Sequence, residues 1–334
     1  MATGLPSLET MNALASLVDT VLDRSVVLGY TSIGSAVRRR FWPADPEPGS
    51  MVGKRVVVTG ATSGIGEAMA RSFLDLGATV HLLGRTESKV ADYARELREA
   101  VPNSEVVEEV CDVSDLDAVR AWCADLAGRV DALHGLVHNA GTMTKRREES
   151  PQGHELSLAA HVLGPHLMTH LLRDRLLAGP ASVVWMSSGG MYGASLHADD
   201  ADDIEYRRGG YDGVQGYART KRMQVVLADA WAEQLRGTGV QVESMHPGWV
   251  RTPGVSESLP TFDKVMDPLL REPVDGADTA VWLVATRPES TAKHFWHDRA
   301  QRPTTFGWQR ADDEAARRRL LEYVADQTGT AALV

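Results

Sequence analysis

Cysteine is scarce in this sequence, because its 334 residues include only Cys111 and Cys123. Two thiols cannot build a framework of several disulfides, and they lack the repeated close spacing of a structural zinc site. His166 and His170 lie one helical turn apart, but no HExxH pattern surrounds them. The sequence therefore predicts no metal site, and a reducing compartment, the cytoplasm, is the expected location.

Basic residues are outnumbered by acidic ones. Lys and Arg number 35 against 45 Asp and Glu, which gives a formal net charge of −10. Nucleic-acid binding depends on clustered basic side chains that neutralise phosphates, so the sequence predicts no nucleic-acid partner. Hydrophobic residues make up 43% of the chain, which is enough for one large buried core.

Long apolar runs are missing from residues 1–50, where the run Val26-Val27-Leu28 is too short to cross a bilayer. The region also has neither the basic start nor the sustained apolar centre of a signal peptide. Its apolar residues recur at helical spacing, at Leu14, Leu17, Val18, Val21 and Leu22. Two interpretations stay open: an amphipathic helix packed on the rest of the protein, or a peripheral membrane anchor that ends in the basic and aromatic segment 38–42.

The chain divides into three predicted parts. Residues 1–50 form an N-terminal helical extension and a linker, because the prolines at 43, 46 and 48 deny a helix its backbone donors. Residues 51–310 form the main domain, and residues 311–334 form a C-terminal helical tail.

Within the main domain, short β-branched runs alternate with longer amphipathic segments, which is typical of βαβ units. Strands are predicted at 55–59, 79–83, 105–110, 135–138, 181–187 and 240–245. Helices are predicted at 65–76, 86–100, 115–128, 155–178, 214–236, 275–286 and 312–326. Several of the strands are apolar without alternation, as expected where helices cover both faces of a sheet. The predicted fold is α/β, a Rossmann-type doubly wound parallel sheet in a single domain with an N-terminal helical extension.

A glycine-rich segment, Thr59-Gly60-Ala61-Thr62-Ser63-Gly64-Ile65-Gly66, stands between the first predicted strand and the first predicted helix. Glycine lets the backbone turn tightly and approach a phosphate, and the following helix N-terminus offers unpaired N–H groups. In this position the segment predicts a dinucleotide phosphate site rather than an ordinary turn.

Tyr217 has a lysine four residues later, Lys221, which places both side chains on one face of a predicted helix. A free phenol has a pKa of about 10 and transfers protons poorly at neutral pH, but a neighbouring ammonium favours its ionised form. The spacing alone also fits a solvated surface pair. Together with the glycine segment it predicts a proton-transfer pair, in which we expect a lowered pKa for Tyr217.

These motifs resemble those of the classical short-chain dehydrogenases/reductases, in the spacing of Gly60, Gly64 and Gly66 and in the pair of Tyr217 and Lys221. Further segments are similar to the subgroup of dehydrogenase/reductase SDR family member 12, among them 187–191, 217–222 and 295–299. The resemblance implies an enzyme that interconverts an alcohol and a carbonyl with a nicotinamide cofactor. The alternative is a catalytically weak or inactive nicotinamide-binding regulatory protein with the same fold.

The resemblance also implies individual roles. Ser188 is expected to orient the substrate oxygen, and Lys221 to hold the nicotinamide ribose. The implied cofactor-binding residues are Gly60, Thr62, Ser63, Gly64, Ile65, Gly66, Arg85, Asp112, Asn139, Ala140, Gly141, Tyr217, Lys221, Pro247, Gly248, Val250 and Thr252. The partners expected are a small-molecule alcohol or carbonyl and, through the helices at 155–178 and 214–236, a second copy in a homo-oligomer.

The choice of cofactor depends on the end of the second strand, where an Asp or Glu would bind the ribose hydroxyls of NAD. Here the sequence has Gly84 and Arg85. A guanidinium suits a 2′-phosphate because it offers a planar, permanently charged set of donors. NADP(H) is therefore favoured, while the nearby Glu87 keeps NAD(H) open.

One position departs from the family pattern. Where the family has an Asn before a Leu-Gly pair, this sequence has His161. That Asn normally supports a water that leads protons to the lysine. Either His161 replaces it in catalysis, as an imidazole that titrates near neutrality, or it is a packed histidine without a catalytic part.

The substrate pocket is expected from the irregular segments 190–215 and 250–275, which follow strand ends. Apolar side chains in and beside these segments indicate a hydrophobic substrate. They are Met191, Tyr192, Trp249, Leu259, Phe262 and Met266.

Overall fold

The computed structural model of the chain describes Asp19 and residues 26–258, 260–290, 294–306 and 312–333. In this part of the chain, eight strands form one sheet in the order β3-β2-β1-β4-β5-β6-β7-β8. The strands are β1 Arg55–Thr59, β2 Thr79–Gly84, β3 Glu105–Val110, β4 Gly135–His138, β5 Ala181–Met186, β6 Val240–Met245, β7 His294–His297 and β8 Ala300–Pro303. Neighbouring strands are parallel except β7 and β8, which are antiparallel. The predicted α/β class and parallel sheet are confirmed.

Helices lie on both faces of this sheet. They are α1 Val26–Tyr30, α2 Ser32–Arg38, α3 Gly64–Asp75, α4 Glu87–Ala100, α5 Leu116–Arg129, α6 Leu156–Leu158, α7 Gly164–Leu171, α8 Arg173–Leu177, α9 Gly213–Gln234, α10 Pro253–Ser258, α11 Pro260–Met266, α12 Pro273–Thr286 and α13 Glu314–Thr328. One apolar core includes Phe73 and Trp282, and a second core includes Trp122 and Trp231. The strand β5 is buried along its whole length, which explains why its sequence does not alternate between apolar and polar residues.

The strand order reverses between β1 and β4, since β2 and β3 extend the sheet on one side and β4 to β8 extend it on the other. In open α/β sheets, ligands bind at such a switch point, outside the carboxyl ends of the strands. The glycine-rich segment follows β1 directly, so it lies at this switch point.

Three features of the main domain were not predicted. The first is a pair of short helices, α10 and α11, within the segment 250–275 that the sequence predicts to be irregular. The hairpin of β7 and β8 buries His297, Asp298 and Arg302, polar residues that hydrophobic periodicity does not assign to a strand. The predicted helix at 155–178 is interrupted, because a π-helical turn occupies Ala159–Leu163 and Leu172 leaves helical geometry. Turns of this kind inside α-helices are frequent at functional sites.

The described part of the N-terminal extension runs from α1 to a 3₁₀ turn at Arg39–Phe41. The helix predicted over Leu14 to Leu22 lies outside the described residues, apart from Asp19. Within the described ranges, no helix combines the length and the apolar character that a membrane span requires. Arg38 is buried and pairs with Asp298 at 2.9 Å, so it packs against the main domain instead of facing outward.

The C-terminal helix α13 packs against α7 and α9. Arg317 Nη2 on α13 donates to Glu233 Oε2 on α9 at 2.7 Å. The helices α7 and α9 belong to the segments from which the sequence predicts a homo-oligomer, so part of that face is covered within the chain.

Candidate active site

The glycine-rich segment packs so closely that side chains would not fit. Gly60 has a φ of +64°, and a Cβ there would lie 2.8 Å from the Cα of Ala140. A Cβ at Gly66 would lie 2.2 Å from the carbonyl oxygen of Gly60. Glycine therefore lets the loop lie against the end of β4, with the N-terminus of α3 beside it.

A cleft of about 590 Å³ runs along the carboxyl ends of the strands. Most of the predicted cofactor residues border it: Gly60, Thr62, Ser63, Gly64, Ile65, Arg85, Asp112, Asn139, Ala140, Gly141, Tyr217, Lys221, Pro247 and Thr252. The predicted residues that do not border it are Gly66, His161, Ser188, Gly248 and Val250. The fold thus brings together residues from the ends of six different strands.

Polar groups at the ends of β1 and β4 fix the loop. Asn139 Nδ2 donates to the carbonyl oxygen of Thr59 at 2.9 Å. Thr59 Oγ1 accepts from the N–H groups of Asn139 and Ala140 at 3.0 and 2.9 Å. After β3, Asp112 Oδ1 accepts from the backbone N–H and the hydroxyl of Ser114 at 2.9 and 2.7 Å. These hydrogen bonds hold the bordering side chains in place without a ligand.

Two cationic side chains border the cleft beyond β2. Arg85 and Lys89 both line it, together with Thr86, whereas Glu87 is not among its lining residues. Both cations are exposed, so their charge is available to a ligand. The sequence reasoning missed Lys89, although a basic residue on the first turn of the helix after β2 was an available signal.

Lys221 is buried, with 4% of its surface exposed. Its Nζ donates to the carbonyl oxygen of Met186 at 2.7 Å and to Gln224 Oε1 at 3.0 Å. Burial disfavours the ammonium form and lowers the pKa of Lys221 to about 7. The amine can therefore change its charge near neutral pH.

Tyr217 borders the cleft, but its pKa is not lowered as the sequence predicts. Burial raises the pKa of Tyr217, and the hydrogen bond with Ser188 only opposes this effect. The Nζ of Lys221 lies 5.2 Å from the centroid of the Tyr217 ring. Burial also disfavours the ammonium form of Lys221. The charge of Lys221 therefore does not compensate for the effect of burial on the pKa of Tyr217.

Ser188 and Ser187 have different surroundings. Ser188 Oγ accepts from the N–H of Gly190 at 3.1 Å and is hydrogen-bonded to Tyr217. Ser187 is buried, and its hydroxyl donates to the carbonyl oxygen of Lys221 at 2.8 Å. Ser188 is therefore the serine in contact with the phenol, while Ser187 joins the end of β5 to α9.

His161 lies on the π-helical turn and is fully buried. Its Nε2 accepts from the N–H of Thr142 at 2.9 Å, and its Nδ1 lies 2.8 Å from Thr220 Oγ1. Burial and the charge of Lys221 hold the pKa of His161 well below its usual value. The imidazole is neutral with both nitrogens engaged, so it does not titrate near neutrality as one of the two interpretations requires.

The segment after β6 is fastened by the N-terminal extension. The N–H of Trp249 donates to the carbonyl oxygen of Tyr30 at 2.8 Å. A Cβ at Gly248 would lie 2.8 Å from that same oxygen, and a Cβ at Gly189 would lie 2.4 Å from the Tyr30 ring. Val250 is buried. Gly248 and Val250 thus secure the segment rather than border the cleft, and Tyr30 is a contact that the sequence reasoning missed.

Among the described residues, none of the apolar side chains predicted for the substrate pocket borders the cleft. Met191 and Tyr192 pack in a separate buried cluster and do not border the cleft, and Leu259 lies outside the described residues. Trp249 contacts Phe262 edge to face, with ring centroids 5.2 Å apart. The apolar side chains that border the cleft include Ile65, Leu83, Val113, Met143, Leu156, Ala160 and Met186.

Comparisons with known proteins agree with this geometry. Residues 54–197 match the family model for short chain dehydrogenases. Dehydrogenase/reductase SDR family member 12 of Bos taurus is 35% identical over 280 residues, which cover 82% of this chain and 86% of that protein. Retinol dehydrogenase 12 of Bos taurus is 33% identical over 234 residues, covering 69% of this chain and 73% of that protein.

A solved structure from Beutenbergia cavernae carries the provisional name NAD(P)-dependent gluconate 5-dehydrogenase and holds NADP at low occupancy. It is 26% identical, with a TM-score of 0.59, and covers 71% of this chain and 91% of that one. The fold and the cleft define an oxidoreductase that uses a nicotinamide cofactor and acts on alcohol and carbonyl groups. The chain belongs to the short-chain dehydrogenase/reductase family.

Proposed function

We propose that this chain interconverts an alcohol and a carbonyl on a hydrophobic small molecule, with NADP(H) as cofactor. The observation that carries the proposal is that Tyr217 and Lys221 border the same cleft as the glycine loop and Arg85, while Ser188 lies beside the Tyr217 phenol. Hydride transfer with a dinucleotide needs both parts at one site. The phosphate groups need backbone donors and positive charge, and the reacting oxygen needs a proton donor beside it.

The residues present fit a dinucleotide. Gly60 and Gly64, both with positive φ, let the loop turn tightly before the N-terminus of α3, where backbone N–H groups suit a pyrophosphate. Arg85 and Lys89 supply positive charge where a 2′-phosphate would lie, and Glu87 does not border the cleft. The NADP in the Beutenbergia structure supports the same preference. When bound, the cofactor supplies or accepts the hydride.

The side chains around Tyr217 suit proton transfer to a carbonyl oxygen. Because burial raises its pKa, the phenol keeps its proton at neutral pH and can donate it as the carbonyl carbon is reduced. Ser188 orients the oxygen and, through its hydrogen bond, stabilises the phenolate that remains. Lys221 stabilises the same phenolate in its ammonium form. Oxidation of an alcohol is the reverse sequence.

The substrate class follows from the lining of the cleft beside Tyr217. Met143, Leu156 and Ala160 border it. Apolar linings of this kind favour a hydrophobic alcohol or carbonyl.

The proposal is tested by titrating the protein with NADPH and NADH, followed by tryptophan fluorescence, and then by assaying lipophilic ketones, aldehydes and alcohols. We expect tighter binding of NADPH and a turnover that Tyr217→Phe abolishes. A protein without affinity for either cofactor would overturn the proposal. Binding of NADPH without turnover in either direction would favour the regulatory alternative instead.

We also propose a cytoplasmic location. Both cysteines are buried and unpaired, and burial together with nearby Asp112 and Asp115 raises the pKa of Cys111 to about 12, so its thiol is unreactive.

A homo-oligomer stays a prediction, which light scattering on the purified protein would test.

A further inference from the structure

A buried amide connects Lys221 to the π-helical turn. Gln224 lies on α9, one turn after Lys221, with none of its surface exposed. Its Oε1 accepts from Lys221 Nζ at 3.0 Å, and its Nε2 donates to the carbonyl oxygen of His161 at 2.9 Å. Neither the sequence motifs nor the family comparison gives this glutamine a role.

The sequence explains why the His161 carbonyl accepts from a side chain. In an α-helix this oxygen would accept from the N–H of the residue four positions later. That residue is Pro165, which has no N–H. Gln224 supplies a donor in its place, so the interrupted helix and the buried amide are parts of one arrangement.

The protonation state of Lys221 depends on its few hydrogen-bond acceptors. An ammonium has three donors, and the described residues provide two acceptors, the Met186 carbonyl and Gln224 Oε1. The titratable groups that face it are Tyr217 on its own helix and His161 on the π-helical turn. His161 is neutral because its pKa is held well below the usual value. The end of β5 presents only the Met186 carbonyl and the Ser187 hydroxyl.

We infer that Gln224 is a positioning residue, which holds Lys221 Nζ toward the π-helical turn and stabilises its ammonium form. This inference rests on the proposed function of Lys221 and deepens it. A carboxamide has no proton that titrates in the relevant range, so the side of Lys221 that faces His161 is closed to proton relay. Protons then reach Lys221 from the cleft.

The inference is tested by titrating the lysine side chains in the folded protein by NMR, using carbon-13 at Cε. The chain has six lysines, and Lys221→Met assigns the signal of Lys221. Gln224→Leu removes an acceptor, so the proton affinity of Lys221 should fall on the order of tenfold. The isosteric Gln224→Glu places a carboxylate in the same position, so the proton affinity should rise by a similar factor.

A matched control is Gln241→Leu, because Gln241 on β6 donates its amide to the Pro288 carbonyl oxygen at 3.0 Å, away from Lys221. This variant should leave the titration of Lys221 unchanged. In turnover assays, the pH profile of kcat should move in opposite directions in the two Gln224 variants, with KM for the substrate little changed.

Unchanged titration of Lys221 in both folded Gln224 variants would overturn the inference, as would an equal shift in Gln241→Leu. Because the NMR titration needs neither cofactor nor substrate, it separates a failure of this inference from a failure of the proposed activity.

Discussion

The two halves of the cleft use charge in opposite ways. The phosphate half consists of the glycine loop 59–66 with Arg85 and Lys89, and its charged side chains are exposed. The catalytic half consists of Tyr217 and Lys221 with the adjoining Ser188, and of the supporting segments 26–38, 246–250 and 294–303 together with Arg271. There, charged side chains are buried and bind other parts of the protein.

Arg271 is the centre of the buried charges in the catalytic half, with 1% of its surface exposed. It donates to the carbonyl oxygens of Gly29 and Tyr30 at 2.9 and 3.0 Å, and to Asp298 Oδ2 at 2.9 Å. Arg38 donates to the same carboxylate oxygen at 2.9 Å. Charge in the phosphate half is therefore available to a ligand, whereas Arg271, Arg38 and Asp298 pair with other parts of the protein. Substitutions should accordingly change affinity in one half and rate or stability in the other.

The largest effect is expected from Tyr217→Phe. Loss of the phenolic proton should lower kcat by about 10²- to 10⁴-fold, because the ring remains and only proton transfer is removed. The affinity for NADPH, measured by fluorescence, should stay within about twofold, since the phosphate half is untouched. Tyr93→Phe is the control, because Tyr93 lies on α4 and its hydroxyl donates to the carbonyl oxygen of Glu67 at 2.7 Å, outside the catalytic half. Turnover within tenfold of the unsubstituted enzyme would show that another group donates the proton.

Asp298→Asn should have the next largest effect, on stability. Removing one charge of a buried pair costs about 3–5 kcal/mol, measured as the free energy of unfolding in urea. Asp75→Asn breaks the exposed pair with Arg71 and should cost about 0.5 kcal/mol or less. Similar losses for the two variants would contradict the contrast between buried and exposed charge.

The same carboxylate makes stability depend on pH. Burial opposes the ionised form of Asp298, but its interactions with His297, Arg271 and Arg38 outweigh burial and lower its pKa from 3.8. A lowered folded-state pKa contributes stability that is complete above 3.8 and is lost as the pH falls below it. Acid unfolding of Asp298→Asn should lack this contribution.

Arg85→Ala should change cofactor preference in the phosphate half. Loss of charge-assisted hydrogen bonds to the 2′-phosphate should weaken NADPH binding by about 10- to 100-fold. The affinity for NADH should change less than about twofold, because NADH has no phosphate at that position. Arg71→Ala, an exposed arginine on α3, is the control. Equal losses for both cofactors would mean that Arg85 acts on the loop and not on the phosphate.

The smallest expected effect is the uptake of a proton by Lys221, in the catalytic half, when NADPH binds. The pKa of Lys221 is about 7 in the protein alone, and an anionic cofactor should raise it. Binding of NADPH should therefore take up a fraction of a proton at pH values somewhat above 7, and affinity should fall as the pH rises through this range. Calorimetry in buffers of different ionisation enthalpy measures the uptake. It should disappear in Lys221→Met, and its persistence there would assign it to another group.

The sequence predicted the phosphate half almost completely. Strands β1 to β6 agree with their predicted bounds to within one residue, because buried parallel strands are continuous apolar runs between turns. Glycine loops and strand ends carry local motifs, so their residues can be identified without knowledge of distant contacts. Lys89 was not predicted, although it stands only four residues after Arg85.

The catalytic half was predicted less well, for physical reasons. The strand His294–His297 and the contacts of Arg271 depend on buried polar groups whose partners are distant in the sequence. The raised pKa of Tyr217 depends on burial, which the Tyr–Lys spacing does not reveal. The role of Gln224 depends on Pro165 and on the π-helical turn, which only the folded chain brings together.

The contact of Tyr30 with Gly189 and Trp249 has a practical consequence for producing the protein. A shortened chain that begins at residue 51 would keep every motif of the cleft, yet Arg271 would lose the Gly29 and Tyr30 oxygens as acceptors. A desolvated guanidinium without those partners opposes folding. The N-terminal extension should therefore be expressed together with the main domain, because Arg271 and the segment after β6 form hydrogen bonds with its backbone.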